Sequence, residues 1–167
     1  MEIPSSESFL EYFAKVRERT MRVIRCIPRD RMEWSYRQGK FTLGDLVRHI
    51  ATTERYMWAE NVQGKPSRYA GCGKDLADGY DEVVQFMERL HQESCEIFSR
   101  LSPQDLGRKC STPDGAPITV WKWLRAMVEH EIHHRGQIYI YLAALGVPTP
   151  PLYGLTSEQV RERSLKA

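Results

Sequence analysis

The sequence predicts an all-α protein, a four-helix bundle with a long crossover connection, and three observations carry that prediction. Four segments repeat apolar residues at helical spacing, no segment alternates as a half-buried strand should, and a glycine-rich, small polar stretch, 64–79, separates the second segment from the third. The 167 residues fit one domain, 1–167, with an irregular tail from about residue 147. A chain of this size buries enough apolar surface to fold without disulfides or a structural metal, so a bound metal would serve function.

The first helix carries Phe9, Phe13, Val16, Val23 and Ile27 on one stripe and ends before Pro28. The second opens at Thr42-Leu43-Gly44-Asp45, a capping-box variant in which the threonine accepts from a free backbone N–H of the first turn. It runs through Leu46, Val47, Ile50, Thr53 and Met57 toward Gly64. The stretch 64–79 has no periodicity and reads as a long connection across the bundle, of the kind that often lines a site. The third helix follows Asp78, with Val83, Met87, Leu90, Ser94, Ile97 and Leu101 on its stripe, and stops at Ser102-Pro103. A short hairpin is expected around Pro113-Asp114-Gly115. The fourth helix has Thr119 as N-cap, runs from Val120 to Leu145, and stops at Gly146 and Pro148.

Composition excludes several classes. Lys and Arg number 24 against 22 Asp and Glu, and no basic stripe is interleaved with aromatics, so a nucleic-acid partner is not expected. The longest apolar run, 138–147, is about half of a membrane span of roughly 20 residues, and the first residues lack a basic and an apolar signal region. These features predict a soluble, cytoplasmic protein with no membrane partner. Cys26, Cys72, Cys95 and Cys110 are scattered, without a C-x-x-C pair, as in a reducing cytosol. Cys72 lies between two glycines, where flexible backbone could expose it, but without an activating neighbour in sequence an idle loop thiol is the better reading.

His130 and His134 stand one helical turn apart, so their rings converge on one point. Met127, Gln137, Ile138 and Tyr141 share that face, which makes it the core-facing stripe. Two buried neutral imidazoles need partners, and either a metal ion or hydrogen bonds would supply them. His49, near the apolar stripe of the second helix, is the candidate third ligand. One such histidine alone reads as a hydrogen-bonded core residue; three together favour a metal. A three-histidine site leaves the ion its full charge and an open position, the arrangement used for catalysis. Glu131 and His133 flank the pair at about 80° on either side, where each could orient a ligand or face solvent. His91 has no histidine at helical spacing and is expected to be structural or exposed.

His130-Glu131-Ile132-His133-His134 also satisfies H-E-x-x-H, in which two histidines hold zinc and the glutamate is the general base of a protease. The context argues against it. No later histidine completes the metzincin pattern, the downstream third ligand would have to be Glu158, and no sheet is evident to bind a peptide strand.

The stretches Leu43-Gly44-Asp45-Leu46-Val47-Arg48-His49-Ile50-Ala51, His130-Glu131-Ile132-His133-His134-Arg135-Gly136-Gln137-Ile138, Leu145-Gly146-Val147-Pro148 and Pro150-Pro151-Leu152-Tyr153 resemble the DinB-like (DinB/YfiT-like) metalloenzymes. The resemblance covers most of the chain in order and spacing. It implies a four-helix bundle, commonly a homodimer, with one divalent ion on His49, His130 and His134. Zinc and nickel are the expected metals, with iron and manganese as further members of the range. Some relatives are S-transferases or isomerases using a low-molecular-weight thiol, so the resemblance implies a metal-dependent transferase or hydrolase acting on a small molecule. A non-catalytic metal-binding protein of the stress response is the alternative. Arg135, Gly136 and Gln137 match the family pattern: the glycine reads as a close helix contact, Gln137 and Tyr141 as orienting or substrate-binding groups, and Arg135 as the partner of a carboxylate or a second subunit.

Overall fold

The computed structural model describes residues 2–166. Helix α1 (Ser6–Ile24) starts where Ser5 Oγ accepts from the Ser8 N–H and ends three residues before Ile27, which stays buried beyond the helix. Helix α2 (Leu43–Thr53) begins with the expected capping box, Thr42 and Asp45 each bonding the other's backbone N–H. It continues without a break through a π-helical turn (Glu54–Trp58) into a last α-helical stretch (Ala59–Asn61). No feature of the sequence announces the π turn, a geometry found mostly as single turns at functional sites. Helix α3 (Tyr80–Ser99) follows the long connection, which contains a 3₁₀ turn at Lys74–Leu76.

Ser102-Pro103 does more than stop α3. Ser102 caps a short helix, α4 (Pro103–Gly107), in a second capping box with Asp105, and the expected hairpin follows as β1 (Lys109–Ser111) paired antiparallel with β2 (Pro117–Thr119). Thr119 precedes α5 (Val120–Ala144) but makes no side-chain cap; its hydroxyl accepts from Lys109 Nζ at 3.0 Å instead. The tail is not irregular throughout. A capping box of Thr156 and Gln159 opens α6 (Ser157–Leu165), whose side chains are exposed, Glu158 among them. No helix among the described residues is long and apolar enough to cross a membrane.

The bundle is built from α1, α2, α3 and α5. Helix α1 packs on α3 and α5, and α2 packs on the same two, so α1 and α2 stand diagonally opposite. Apolar side chains fill the interior in two clusters. Met21, Val23 and Ile24 of α1 meet Leu46 and Ile50 of α2, Met87 and Leu90 of α3 and Ile138 of α5 at one end. Phe9, Phe13 and Val16 meet Trp58, Phe98 and Leu124 at the other. Between them each helix contributes about one turn of buried polar residues: Arg17 and Thr20, Thr53 and Glu54, Ser94, and Glu131, His134 and Arg135. This polar layer interrupts an apolar core, and burying charge there costs several kcal/mol per ion unless it is paired.

Candidate metal centre

The layer holds two groups of ionisable side chains. In the groove between α2 and α5, His49 Nε2 lies 3.1 Å from His130 Nε2, which lies 3.0 Å from His134 Nε2. One nitrogen from each ring falls within 4.8 Å of the others. Tetrahedral coordination at about 2.05 Å places ligand nitrogens about 3.3 Å apart, close to these spacings. The i, i+4 geometry of α5 brings the last two together, as the sequence predicts, and α2 supplies the third from across the groove.

The outer nitrogens of two rings are fixed by protein groups. Gln137 Oε1 accepts from His134 Nδ1 at 2.7 Å, which puts that ring's proton on Nδ1 and leaves the Nε2 lone pair free. His49 Nδ1 meets the Tyr69 hydroxyl at 2.9 Å. Burial and a hydrogen bond with Cys72 keep the Tyr69 phenol protonated, so it donates to the thiol and accepts from His49, leaving His49 Nε2 free as well. Burial, with neighbouring imidazoles adding repulsion, lowers the His49 pKa to about 4 and the His130 pKa to about 3, and His134 is also lowered. All three rings are neutral at pH 7, and their Nε2 atoms crowd one point. The donor set fits a divalent cation.

Tyr69 is the residue the sequence reading missed. It sits in the long connection, which Arg48 ties to α2: the fully buried guanidinium donates to Cys72 O and Ala77 O, both at 2.9 Å, and pairs with Glu33 and Asp45. Gly44 permits this arrangement, because a Cβ there would stand 2.7 Å from Glu33 Oε1 and 3.0 Å from Arg48 Nη1. Cys72, held in the same stretch, is buried rather than exposed, and burial pushes its thiol pKa up.

Other expected site residues fall elsewhere. His133 is exposed and stands beside the site, its Nε2 3.2 Å from Gln137 Nε2 and its ring edge-on to His134 at 5.0 Å between centroids. Tyr141 does not reach the histidines; its hydroxyl donates to Phe41 O at 3.1 Å, and it walls a cavity of about 590 Å³ with Tyr36, Lys40, Phe41, Gln137 and Ile140. Phe41 packs beside His49 at 5.5 Å between ring centroids, and Gln137 holds His134, so this cavity adjoins the metal centre. Gly136 is exposed, and a Cβ there would meet nothing within 4 Å, so no close helix contact explains it. Arg135 is buried and donates to the Val16 carbonyl of α1 at 3.4 Å, not to a carboxylate.

Glu131 is neither a flanking group nor a protease base. It points into the bundle at 2% exposure, 2.9 Å from Arg17 Nη2. Arg17 also pairs with Glu54, and Glu54 Oε1 accepts from His91 Nδ1 at 2.9 Å. This Arg17, Glu54, Glu131 and His91 cluster is the second ionisable group of the layer, and nothing in the periodicity marks Arg17 or Glu54 as part of it. Both Glu131 oxygens and Arg17 Nε and Nη1 lack a well-aligned hydrogen bond, so their contact is one of charge alone. Burial raises the Glu131 pKa against the pull of Arg17, whereas burial of Glu54 is outweighed by Arg17 and the His91 hydrogen bond, which lower it.

Fold and site together define a helical bundle with three convergent neutral histidines in an interhelical groove. The chain belongs to the DinB superfamily, whose profile matches residues 12–138. It is 21% identical over 150 residues to the uncharacterized protein YjoA of Bacillus subtilis, covering 89% of this chain and 96% of that one. It is 26% identical over 123 residues to a protein of Oceanobacillus iheyensis named "Putative metal-dependent hydrolase", covering 65% of this chain and 69% of that one. A DinB-like protein from Bacillus cereus, known from its crystal structure, superposes with a TM-score of 0.73 at 19% identity over 87% of this chain and 95% of that one. At that identity the likeness concerns the fold.

Proposed function

We propose that this protein is a metal-dependent enzyme in which His49, His130 and His134 hold one divalent ion, zinc or nickel, and a small substrate binds in the adjoining aromatic cavity. The observation that carries the reading is the convergence of three imidazole nitrogens within 4.8 Å in a groove that adjoins a cavity of about 590 Å³. A dipositive ion held by neutral ligands supplies the charge that lets a water or a low-molecular-weight thiol lose its proton near neutral pH. Gln137 and Tyr69 fix the ring orientations, and Phe41, Tyr36, Ile140 and Tyr141 give the apolar walls that would position a substrate and exclude water. Hydrolysis is supported by the name of the Oceanobacillus relative. Thiol transfer would use the same open position with a thiol in place of water.

Metal analysis of protein purified without an affinity tag is the first test, with one divalent ion per chain expected and His130→Ala losing it. Metal-loaded protein is then assayed with a panel of esters and with thiols plus electrophiles. Turnover that disappears in His130→Ala supports the reading, whereas metal-loaded protein inert toward the whole panel removes the enzymatic claim.

A further inference from the structure

On α3, Cys95 follows His91 by one helical turn and is half-buried. Its Sγ lies 3.6 Å from His91 Nε2 and 3.8 Å from Nδ1. Nδ1 is already engaged with Glu54 Oε1 at 2.9 Å, and the near-equal distances place the sulfur against the face of the ring. Glu54 is 2% exposed and is fixed in turn by Arg17. Carboxylate, imidazole and thiol thus stand in the order that orients a base or cation against a nucleophile.

We propose that Cys95 is a second reactive centre, a nucleophilic thiol that His91, oriented by Glu54, activates toward soft carbon electrophiles such as α-halo amides and α,β-unsaturated carbonyls. The groups that face His91 come from every packed element: Arg17 and the Phe13 ring from α1, Glu54 from α2, Glu131 from α5 and Cys95 from α3 itself. Burial lowers the His91 pKa, but the hydrogen bonds to Cys95 and Glu54 and the charge of Glu54 outweigh burial and the repulsion of Arg17, raising it to about 9. His91 is therefore an imidazolium at neutral pH. The thiol proton leaves to solvent, the imidazolium charge 3.6 Å from the sulfur favours the resulting thiolate, and the thiolate attacks carbon. With an α-halo amide the C–S bond forms as the carbon–halogen bond breaks and halide departs with its electron pair. With an unsaturated carbonyl the carbanion formed takes a proton from solvent. A neighbouring imidazolium is a recognised way of raising thiolate content, and partial exposure lets the reagent in.

The molecule contains its own controls. Cys26 is also half-buried on a helix end, but its Sγ contacts the Arg22 carbonyl at 3.3 Å, a partner that cannot stabilise a thiolate. Cys72 and Cys110 are buried, with thiol pKa values pushed up by burial. The experiment is a time course of iodoacetamide labelling of the folded, full-length protein at a pH about two units below the ordinary thiol pKa, read per cysteine by peptide mass spectrometry. Cys95 is expected to label at least about tenfold faster than Cys26, and His91→Gln is expected to bring it down to the rate of Cys26. Equal rates for Cys95 and Cys26 in the unsubstituted protein overturn the proposal without any variant. A folded His91→Gln protein, checked by circular dichroism, that labels Cys95 at the original rate overturns the role of His91.

Discussion

The polar layer contains histidines in two opposite states, and the contrast between them shows what sets protonation inside this bundle. His49, His130 and His134 are surrounded by one another and by the rings of Phe41, Tyr69 and Trp58, so burial has no anion to oppose it and the pKa values of the first two fall to about 4 and about 3. His91 is no better solvated, yet Glu54 sits at 2.9 Å and its pKa rises to about 9. Burial acts in the same direction on all of them; the partner decides the outcome. The groove cluster is a set of lone pairs suited to a cation from outside. The central cluster has its cation built in, as Arg17.

If that distinction holds, the two clusters respond differently to loss of one member. Arg17→Met leaves Glu131 buried without its counter-charge and Glu54 with His91 alone, and is expected to destabilise the protein by about 3–5 kcal/mol. His134→Ala removes no charge, and in metal-free protein it is expected to cost less than half as much. Urea denaturation of the two variants beside the unsubstituted chain makes the comparison. Similar losses would mean that the central cluster is not held by charge pairing.

The two states also bend the pH dependence of metal-free stability in opposite directions. His91 has a raised folded pKa, so its contribution is complete below its unfolded value of about 6.5 and is lost as pH rises through about 9. His49 and His130 have lowered folded values, so the unfolded chain binds more protons below about 6.5 and stability falls as pH drops toward about 4 and about 3. Urea midpoints of chelated protein across this range should therefore decline on both sides of a maximum. His91→Gln is expected to flatten the alkaline limb and to leave the acid-limb contribution of His49 and His130 in place. An alkaline limb that survives the substitution would assign the loss to another group.

Sequence periodicity was enough to place the four long helices, the capping box at Thr42 and the convergence of His130 with His134, because each depends on contacts within a few residues. The partners of those histidines were less accessible. Gln137 lies three residues from His134 on the same face and could be named, but Tyr69 reaches His49 from a segment without periodicity, and only the tertiary bonds of Arg48 fix where it goes. The central cluster was hidden for another reason. A charged residue such as Arg17 or Glu54 ordinarily marks a solvated face, and each is buried here only because two other helices bring its counter-charges. Glu131 was misplaced on the same ground, and α6 was overlooked because none of its side chains packs on the core. Family resemblance supplied His49, which periodicity alone placed only near the apolar stripe.

The smallest expected effect probes how the groove cluster is oriented. His134 is held by a group on its own helix, whereas His49 depends on a tyrosine carried by the pinned connection. Tyr69→Phe deletes the acceptor for His49 Nδ1–H and keeps the ring that packs against the imidazole at 5.6 Å between centroids. Losing a partner that fixes a ligand ring typically weakens metal binding by 10–100-fold, and the lower end, about tenfold, is expected here because Phe41 still packs beside the ring. Stability of the metal-free chain should change by no more than about 0.5–1.5 kcal/mol, the range for one hydrogen bond. Competition with a chromophoric chelator measures the affinity. An unchanged affinity would mean that packing alone orients His49, and the connection's tie to Arg48 would then serve the fold rather than the metal.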